Sequence, residues 1–298
     1  MAITLETSPC SILSLEEYIE YIDRFVDVRD FESIVESGHQ LARLALNQGL
    51  VQNALNDAVR GFLDKTQRLA YTPQSFIFGR TRDCYIRGNI WPKTQIDDSK
   101  RSREAELYSY LMSHNHSFDF VTCGYFGPGY TTRILEVDPD LITGDLDEFV
   151  ELNFLEETTL PIGKVMIYRA YRDVHTQFPP PELSISLNLM CLNGHDLNAE
   201  QYFFNEQTGR IIGYPKEGLV SRRAKLVELA SLIGNDETFE ILIDIAVKDN
   251  NIRTRREAIN GIATGRPDLM ENLYAKLGVR PDHQTKLLLS HIDLLLES

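Results

Sequence analysis

The stretch Ser113–Gly129, SHNHSFDFVTCGYFGPG, sets two histidines one residue apart, follows them with an aromatic run and closes on a Gly-Pro-Gly turn. β-Branched and aromatic residues bounded by turn formers mark a strand. In an extended chain residues i and i+2 share a face, so His114 and His116 project together while Asn115 points away. Two imidazoles on one face can hold a single ion without straining the backbone. The other reading is a polar loop after LYSYLMS in which both rings make ordinary hydrogen bonds.

The sequence around this stretch has the same period-two character. SFIFGR, DCYIRGNIWP, YTTRILEVD, KVMIYRAY and LSISLNLMCL are short runs separated by Gly, Pro, Asn and Asp. They fall between Thr72 and Tyr214 with no long helix among them, which predicts an antiparallel sandwich or barrel and not a doubly wound sheet. Helical patterns flank this region on both sides. SLEEYIEYIDRFVD opens with Ser14 as N-cap and Glu17 three residues on, a capping box. FESIVESGHQLARLALNQGL and VQNALNDAVRGFLDK continue with apolar residues at helical spacing. Beyond Val220 the helical period returns, broken at DNN and GRP. The expected organisation is an α+β chain with a helical segment over 1–70, a β-barrel over 71–219 and a helical segment over 220–298.

The 298-residue chain carries a net charge of −14, which repels nucleic-acid phosphates and anionic lipid. The basic clusters at Lys100 to Arg103 and Ser221 to Lys225 are short and read as solvated faces or helix starts, so no nucleic-acid partner is expected. The first residues lack a basic stretch followed by an apolar one, and no apolar run reaches membrane-spanning length. A cytoplasmic protein with no membrane partner is the expectation. Cys10, Cys84, Cys123 and Cys191 show no CxxC spacing, so a zinc knuckle or disulfide framework is not expected. No GxGxxG, GxxxxGK[ST] or GxSxG motif occurs, which removes the familiar nucleotide and serine-hydrolase signals.

A third histidine bears on the pair. In LPIGKVMIYRAYRDVHTQFPPPELSISLNLM a Pro-x-Gly turn leads into a strand, a loop delivers His175, and an apolar strand follows. With HxH upstream and a lone histidine after a glycine turn downstream, Tyr108 to Met190 resembles the cupin superfamily, the double-stranded β-helix that includes many mononuclear metalloenzymes. His114, His116 and His175 match that family's ligands in type, order and separation. The order of glycine turn, strand, distal histidine and Ser/Asn-bearing strand is similar to the JmjC and oxygenase motif. LIDIAVKDNNIRTRREAINGIA resembles one HEAT-type repeat, although a helical cap or dimerisation element accounts for it as well.

The chain departs from the cupin pattern twice. Phe120 and Val121 stand where common cupins place a glutamate, and His116 stands where HxD/E oxygenases have a carboxylate. The resemblance therefore implies either a three-histidine site, as in the thiol-dioxygenase branch, or a site in which Asp119 bends in as a fourth ligand. Asp119 is at odd spacing from His116, so ligation would need a bulge. It is otherwise a hydrogen-bond acceptor for an imidazole, as is Asp173.

Three neutral imidazoles leave an ion its full charge and open positions on one side, which makes Fe(II) the first expectation. Zn(II), Mn(II), Ni(II) and Cu(II) are also compatible with imidazole. The implied function is a mononuclear non-haem iron oxygenase or dioxygenase acting with O2 on a small polar metabolite, amino-acid-like or thiol. A 2-oxoglutarate-dependent hydroxylase is the alternative; Arg133, Lys164 or Arg172 could take the cosubstrate carboxylate. Arg133 shares a face with Thr131 and Leu135 and would clamp a carboxylate if it faced inward. Tyr125 and Tyr130 flank the turn and could close the barrel mouth or donate a hydroxyl. Ser184, Ser186 and Asn188 share one face of the last strand, opposite Ile185, Leu187 and Leu189, and are expected to face solvent if that apolar set faces the core. A non-catalytic reading keeps the metal or ligand in the barrel while the C-terminal helices bind a protein partner. The apolar QTKLLLSHIDLLLES also invites homodimer formation.

Overall fold

The structure is a computed structural model that describes residues 3–64, 72, 74–94, 107–192, 200–215, 218–279 and 283–297. The basic cluster Lys100 to Arg103 lies outside the described residues. The chain divides into two units, one comprising 1–139 with 151–195 and the other 140–150 with 196–298.

The first unit is α+β. Its strands are β1 (Ile3–Leu5), β2 (Ser75–Arg80), β3 (Cys84–Trp91), β4 (Ser113–His114), β5 (Phe120–Phe126), β6 (Thr131–Glu136), β7 (Asn153–Thr159), β8 (Val165–Tyr168), β9 (Asp173–Phe178) and β10 (Ser184–Cys191). They form two antiparallel sheets. One runs in the order β1-β8-β5-β10-β3-β2; in the other β4, β9, β6 and β7 lie side by side in that order.

Alternation gives the first sheet two unlike faces. Val121, Cys123, Val165, Ile167, Leu187, Leu189, Cys84 and Ile86 point one way. They are covered by α1 (Leu15–Phe25) and α2 (Phe31–Ala45), whose Tyr18, Ile22, Ile34, Leu41 and Leu44 complete that core. α3 (Gly49–Asp64) adds Leu50 and Val51. The Ser14 hydroxyl accepts from the Glu17 N–H and the Glu17 carboxylate accepts from the Ser14 N–H, so the capping box starts α1 as the sequence predicts.

The opposite face carries Phe120, Met166, Tyr168, Met190 and Trp91, and packs against Ile134, Tyr130 and Tyr110 of the second sheet's side. Ser184, Ser186 and Asn188 lie on this face and are 1%, 1% and 3% exposed. The expectation that they face solvent is overturned. The helices cover the apolar side of β10, and the second sheet covers its polar side.

Close approach of two segments fixes the Gly127–Gly129 turn. Gly129 has φ +86°, and a Cβ there would lie 2.0 Å from the Leu160 carbonyl oxygen. Its N–H is bound instead to the Ser184 hydroxyl at 3.0 Å.

The second unit pairs β11 (Phe203–Asn205) with β12 (Arg210–Gly213) as a hairpin. It continues with α4 (Leu219–Ile233), α5 (Asp236–Lys248), α6 (Ile252–Gly265), α7 (Met270–Leu277) and α8 (His283–Glu297). Phe239, Leu242, Ile243, Ile259, Ile262, Leu273 and Leu288 form its core. Asn235 caps α5 and Asn251 caps α6, each accepting from a backbone N–H three residues on. Among the described residues no helix is long and apolar enough to cross a membrane.

Candidate metal centre

His114 ends β4 and stands directly opposite His175 on β9. His116 follows β4 by two residues, outside any strand. The three rings nevertheless meet. Ring centroids are 4.9 Å apart for His114 and His116, 4.6 Å for His114 and His175, and 5.0 Å for His116 and His175. One ligating nitrogen from each ring lies within 4.8 Å of the others. His175 arrives on a fully paired strand and not on the loop expected. DVHTQF carries little apolar alternation, yet its first five residues are buried between neighbours on both sides.

The tautomers follow from the partners. His114 Nδ1 sits 2.8 Å from the Met112 carbonyl oxygen. A carbonyl only accepts, so Nδ1 carries the proton and Nε2 presents its lone pair to the cluster. His175 Nε2 lies 3.2 Å from that Nε2. Two nitrogens bound at right angles to one ion at about 2.1 Å stand about 3.0 Å apart, so the pair has the spacing of adjacent ligands. His175 Nδ1 is withdrawn from solvent and has no hydrogen-bond partner among the described residues.

Burial keeps the rings neutral. His114 is lowered from the usual histidine value by burial, partly offset by its bond to Met112. His175 is held well below it by burial and then by His114. His116 is also well below, through burial, then its two neighbouring rings, then the charge of Arg87. Neutral imidazoles are the form that ligates a cation. Aromatic rings wall the cluster: Phe118 stacks on His116 at 4.8 Å, while Phe120 and Tyr168, themselves stacked at 4.6 Å, present edges to His175.

The remaining sequence candidates lie elsewhere. Asp119 is 9% exposed, and its Oδ1 accepts from the Ala170 N–H at 2.6 Å. Asp173 accepts from the Arg169 N–H at 2.7 Å and pairs with the Arg169 guanidinium, which also reaches Glu136. Arg133 pairs with Glu157 at 2.8 Å and stacks on Phe178. Its register partner is Thr176, whereas His175 is opposite Ile134, so Arg133 and His175 take opposite faces of the second sheet. Tyr125 packs with the helix-side core, and its hydroxyl donates toward the Asn47 and Gln48 carbonyls, each at 2.8 Å. The structure does not bring Tyr125 or Arg133 to the imidazoles. Tyr130 does lie in the core between the sheets.

Arg87 was not singled out by its sequence. It lies on β3 opposite Asn188, with Ile86 and Gly88 turned to the helix side, so Arg87 shares the inner face with Tyr85 and Trp91. The available signal was a charged residue in mid-strand with apolar neighbours on both sides.

No protein-family model matches the chain, and no curated protein matches it. Solved structures similar to part of it include hydroquinone 1,2-dioxygenase from Sphingomonas sp. TTNP3, at 9% identity and TM-score 0.28, over 41% of this chain and 67% of that one. The DMSP lyase DddQ from Ruegeria pomeroyi DSS-3 matches at 11% identity and TM-score 0.25, over 46% of this chain and 52% of that one. The vicilin from Solanum melongena matches at 12% identity and TM-score 0.28, over 58% of this chain and 39% of that one. The chain thus spans about half the lyase and two fifths of the vicilin. Likenesses this slight carry no argument about activity, substrate or assembly.

Proposed function

We propose that the first unit is a cupin-type double-stranded β-helix holding one metal ion on His114, His116 and His175, and that the protein is a non-haem Fe(II) oxygenase acting on a small polar metabolite. The observation that carries this reading is the convergence of three imidazoles from two separate segments, His114 and His175 buried and His116 half-buried, with the Nε2 atoms of His114 and His175 at 3.2 Å. Their order along the chain, HxH and then a lone histidine, agrees with the cupin resemblance.

The donor set fits a divalent ion. All three rings are held neutral, and the Met112 carbonyl aims the lone pair of His114 at the cluster. With iron bound, such a site supplies O2 activation, since three nitrogen ligands leave positions open for substrate and O2 together. The chain's own contribution is positional. Phe118, Phe120 and Tyr168 pack against the rings of His116 and His175 and limit how they can turn. Tyr168 donates its hydroxyl to Thr132 at 3.4 Å, tying the two sheets together beside His175. Asp173 holds Arg169 at the start of β9, which sets the register of the strand that delivers His175.

The test is metal analysis of protein purified without chelator, beside His114→Ala and His175→Ala, followed by O2 uptake with candidate amino acids and thiols. The expected result is close to one ion per wild-type chain, lost in both variants, with Fe(II)-dependent O2 consumption. Metal retained by the variants would contradict it.

A further inference from the structure

The inner face of the first sheet carries a row of polar side chains that the metal centre leaves unused. Register places Arg87 opposite Asn188 and Asn188 opposite Thr122, on the adjacent strands β3, β10 and β5. Opposed residues on neighbouring antiparallel strands share a face, so the three side chains form one row. The next row along the same face is Tyr85, Met190, Phe120 and Tyr168, and Phe120 and Tyr168 are the rings that edge onto His175. The polar row is therefore one strand pleat from the wall of the imidazole cluster.

This row is not satisfied internally. Among the described residues, the Nε of Arg87 and the Nδ2 of Asn188, and the Oδ1 of Asn89 in the neighbouring row, are withdrawn from solvent without a hydrogen-bond partner. Asn188 is 3% exposed, and its Oδ1 already accepts from Ser186, which leaves only its N–H groups to offer. Among the described residues no carboxylate pairs with Arg87; the groups that act on its charge are the phenols of Tyr85 and Tyr130. A guanidinium cannot shed its proton, so withdrawing it from water without an anion is costly.

We propose that Arg87, assisted by the Asn188 amide, is the substrate-anchoring subsite of this centre and binds a carboxylate on an apolar or aromatic body. The inference rests on the metal-centre reading above for the word substrate, though not for the anion site itself. A planar fork beside an amide N–H matches the two oxygens of a carboxylate. The flanking Tyr85, Met190, Phe120 and Trp91 supply an apolar wall for the rest of the molecule. The anion is distinct from any carboxylate clamp at Arg133, which is occupied by Glu157 on the other sheet.

The experiment is calorimetric titration of full-length, Zn(II)-loaded protein with benzoate and acetate, each against its uncharged amide, benzamide and acetamide. Wild type is expected to bind at least one acid about tenfold or more tightly than its amide. Arg87→Gln should abolish that preference while keeping wild-type zinc content, and Arg87→Lys should retain part of it. Asn188→Asp gives Arg87 an internal anion and should also abolish acid binding, with a fold at least as stable, which keeps the test open if Arg87→Gln fails to fold. The same titrations on metal-free protein separate the two claims: failure of the wild type to take up zinc on reloading would defeat the metal centre, while acid binding would still track Arg87. Acid binding that survives Arg87→Gln or Asn188→Asp, or no preference for acid over amide in wild type, would overturn the proposal.

Discussion

His114 and His175 face each other across the β4–β9 pair with their Nε2 atoms 3.2 Å apart, although 61 residues separate them in the chain. The two rings belong to strands whose pairing is set by backbone hydrogen bonds, so their approach is built into the register. A one-residue slip would turn His175 to the opposite face.

The depressed imidazoles make metal-free protein sensitive to mild acid. Burial lowers all three below the ordinary histidine value of about 6.5. In the unfolded chain they take up protons as pH falls through that value, while in the folded chain they resist. The folded state therefore has its full stability above about pH 6.5 and loses it progressively below, until the folded pKa values are reached. Urea unfolding of chelated protein between about pH 8 and 5 should show this decline, and a His116→Gln, His175→Gln variant should show a shallower one. Equal slopes would count against burial of neutral rings.

Tyr125 provides a control for the site. Its hydroxyl bonds to the Asn47 and Gln48 carbonyls, so Tyr125→Phe should lower stability by about 1 kcal/mol. Metal content should be unchanged. A variant that lost its metal at wild-type stability would place this residue in the centre after all.

Gly129 tests the turn that closes the SHNHSFDFVTCGYFGPG stretch. With φ +86° and the Leu160 carbonyl 2.0 Å from a Cβ, Gly129→Ala should cost about 2 kcal/mol or more. The urea midpoint should fall with little change in slope. A loss within about 0.5 kcal/mol would show that the two segments can separate freely.

Much of the strand content was legible because SFIFGR, DCYIRGNIWP and LSISLNLMCL carry β-branched and aromatic residues between turn formers. β7 was not, since NFLEETT is half charged or hydroxylic and pairs on one side only, with β6. β9 escaped for a related reason: DVHTQF has the composition of a loop, and its polar side chains are buried because they serve the interior. The solvent-facing expectation for Ser184, Ser186 and Asn188 applied the rule that polar faces meet water. It fails where a second sheet lies over that face, which alternation within one strand does not reveal. The histidine pair was legible through its distant partner, since HxH alone also fits an ordinary polar loop. Arg87 was not, because a mid-strand arginine acquires meaning only when the neighbouring strands bring Asn188 and Thr122 beside it.

The central claim, three imidazoles around one ion, is tested most directly by X-ray absorption on the protein loaded with one equivalent of Fe(II) or Zn(II). The expected spectrum shows three imidazole nitrogens in the inner shell at about 2.1 Å, and His175→Ala is expected to hold no metal. A shell made of sulfur or carboxylate oxygen, or one unchanged by His175→Ala, would contradict it.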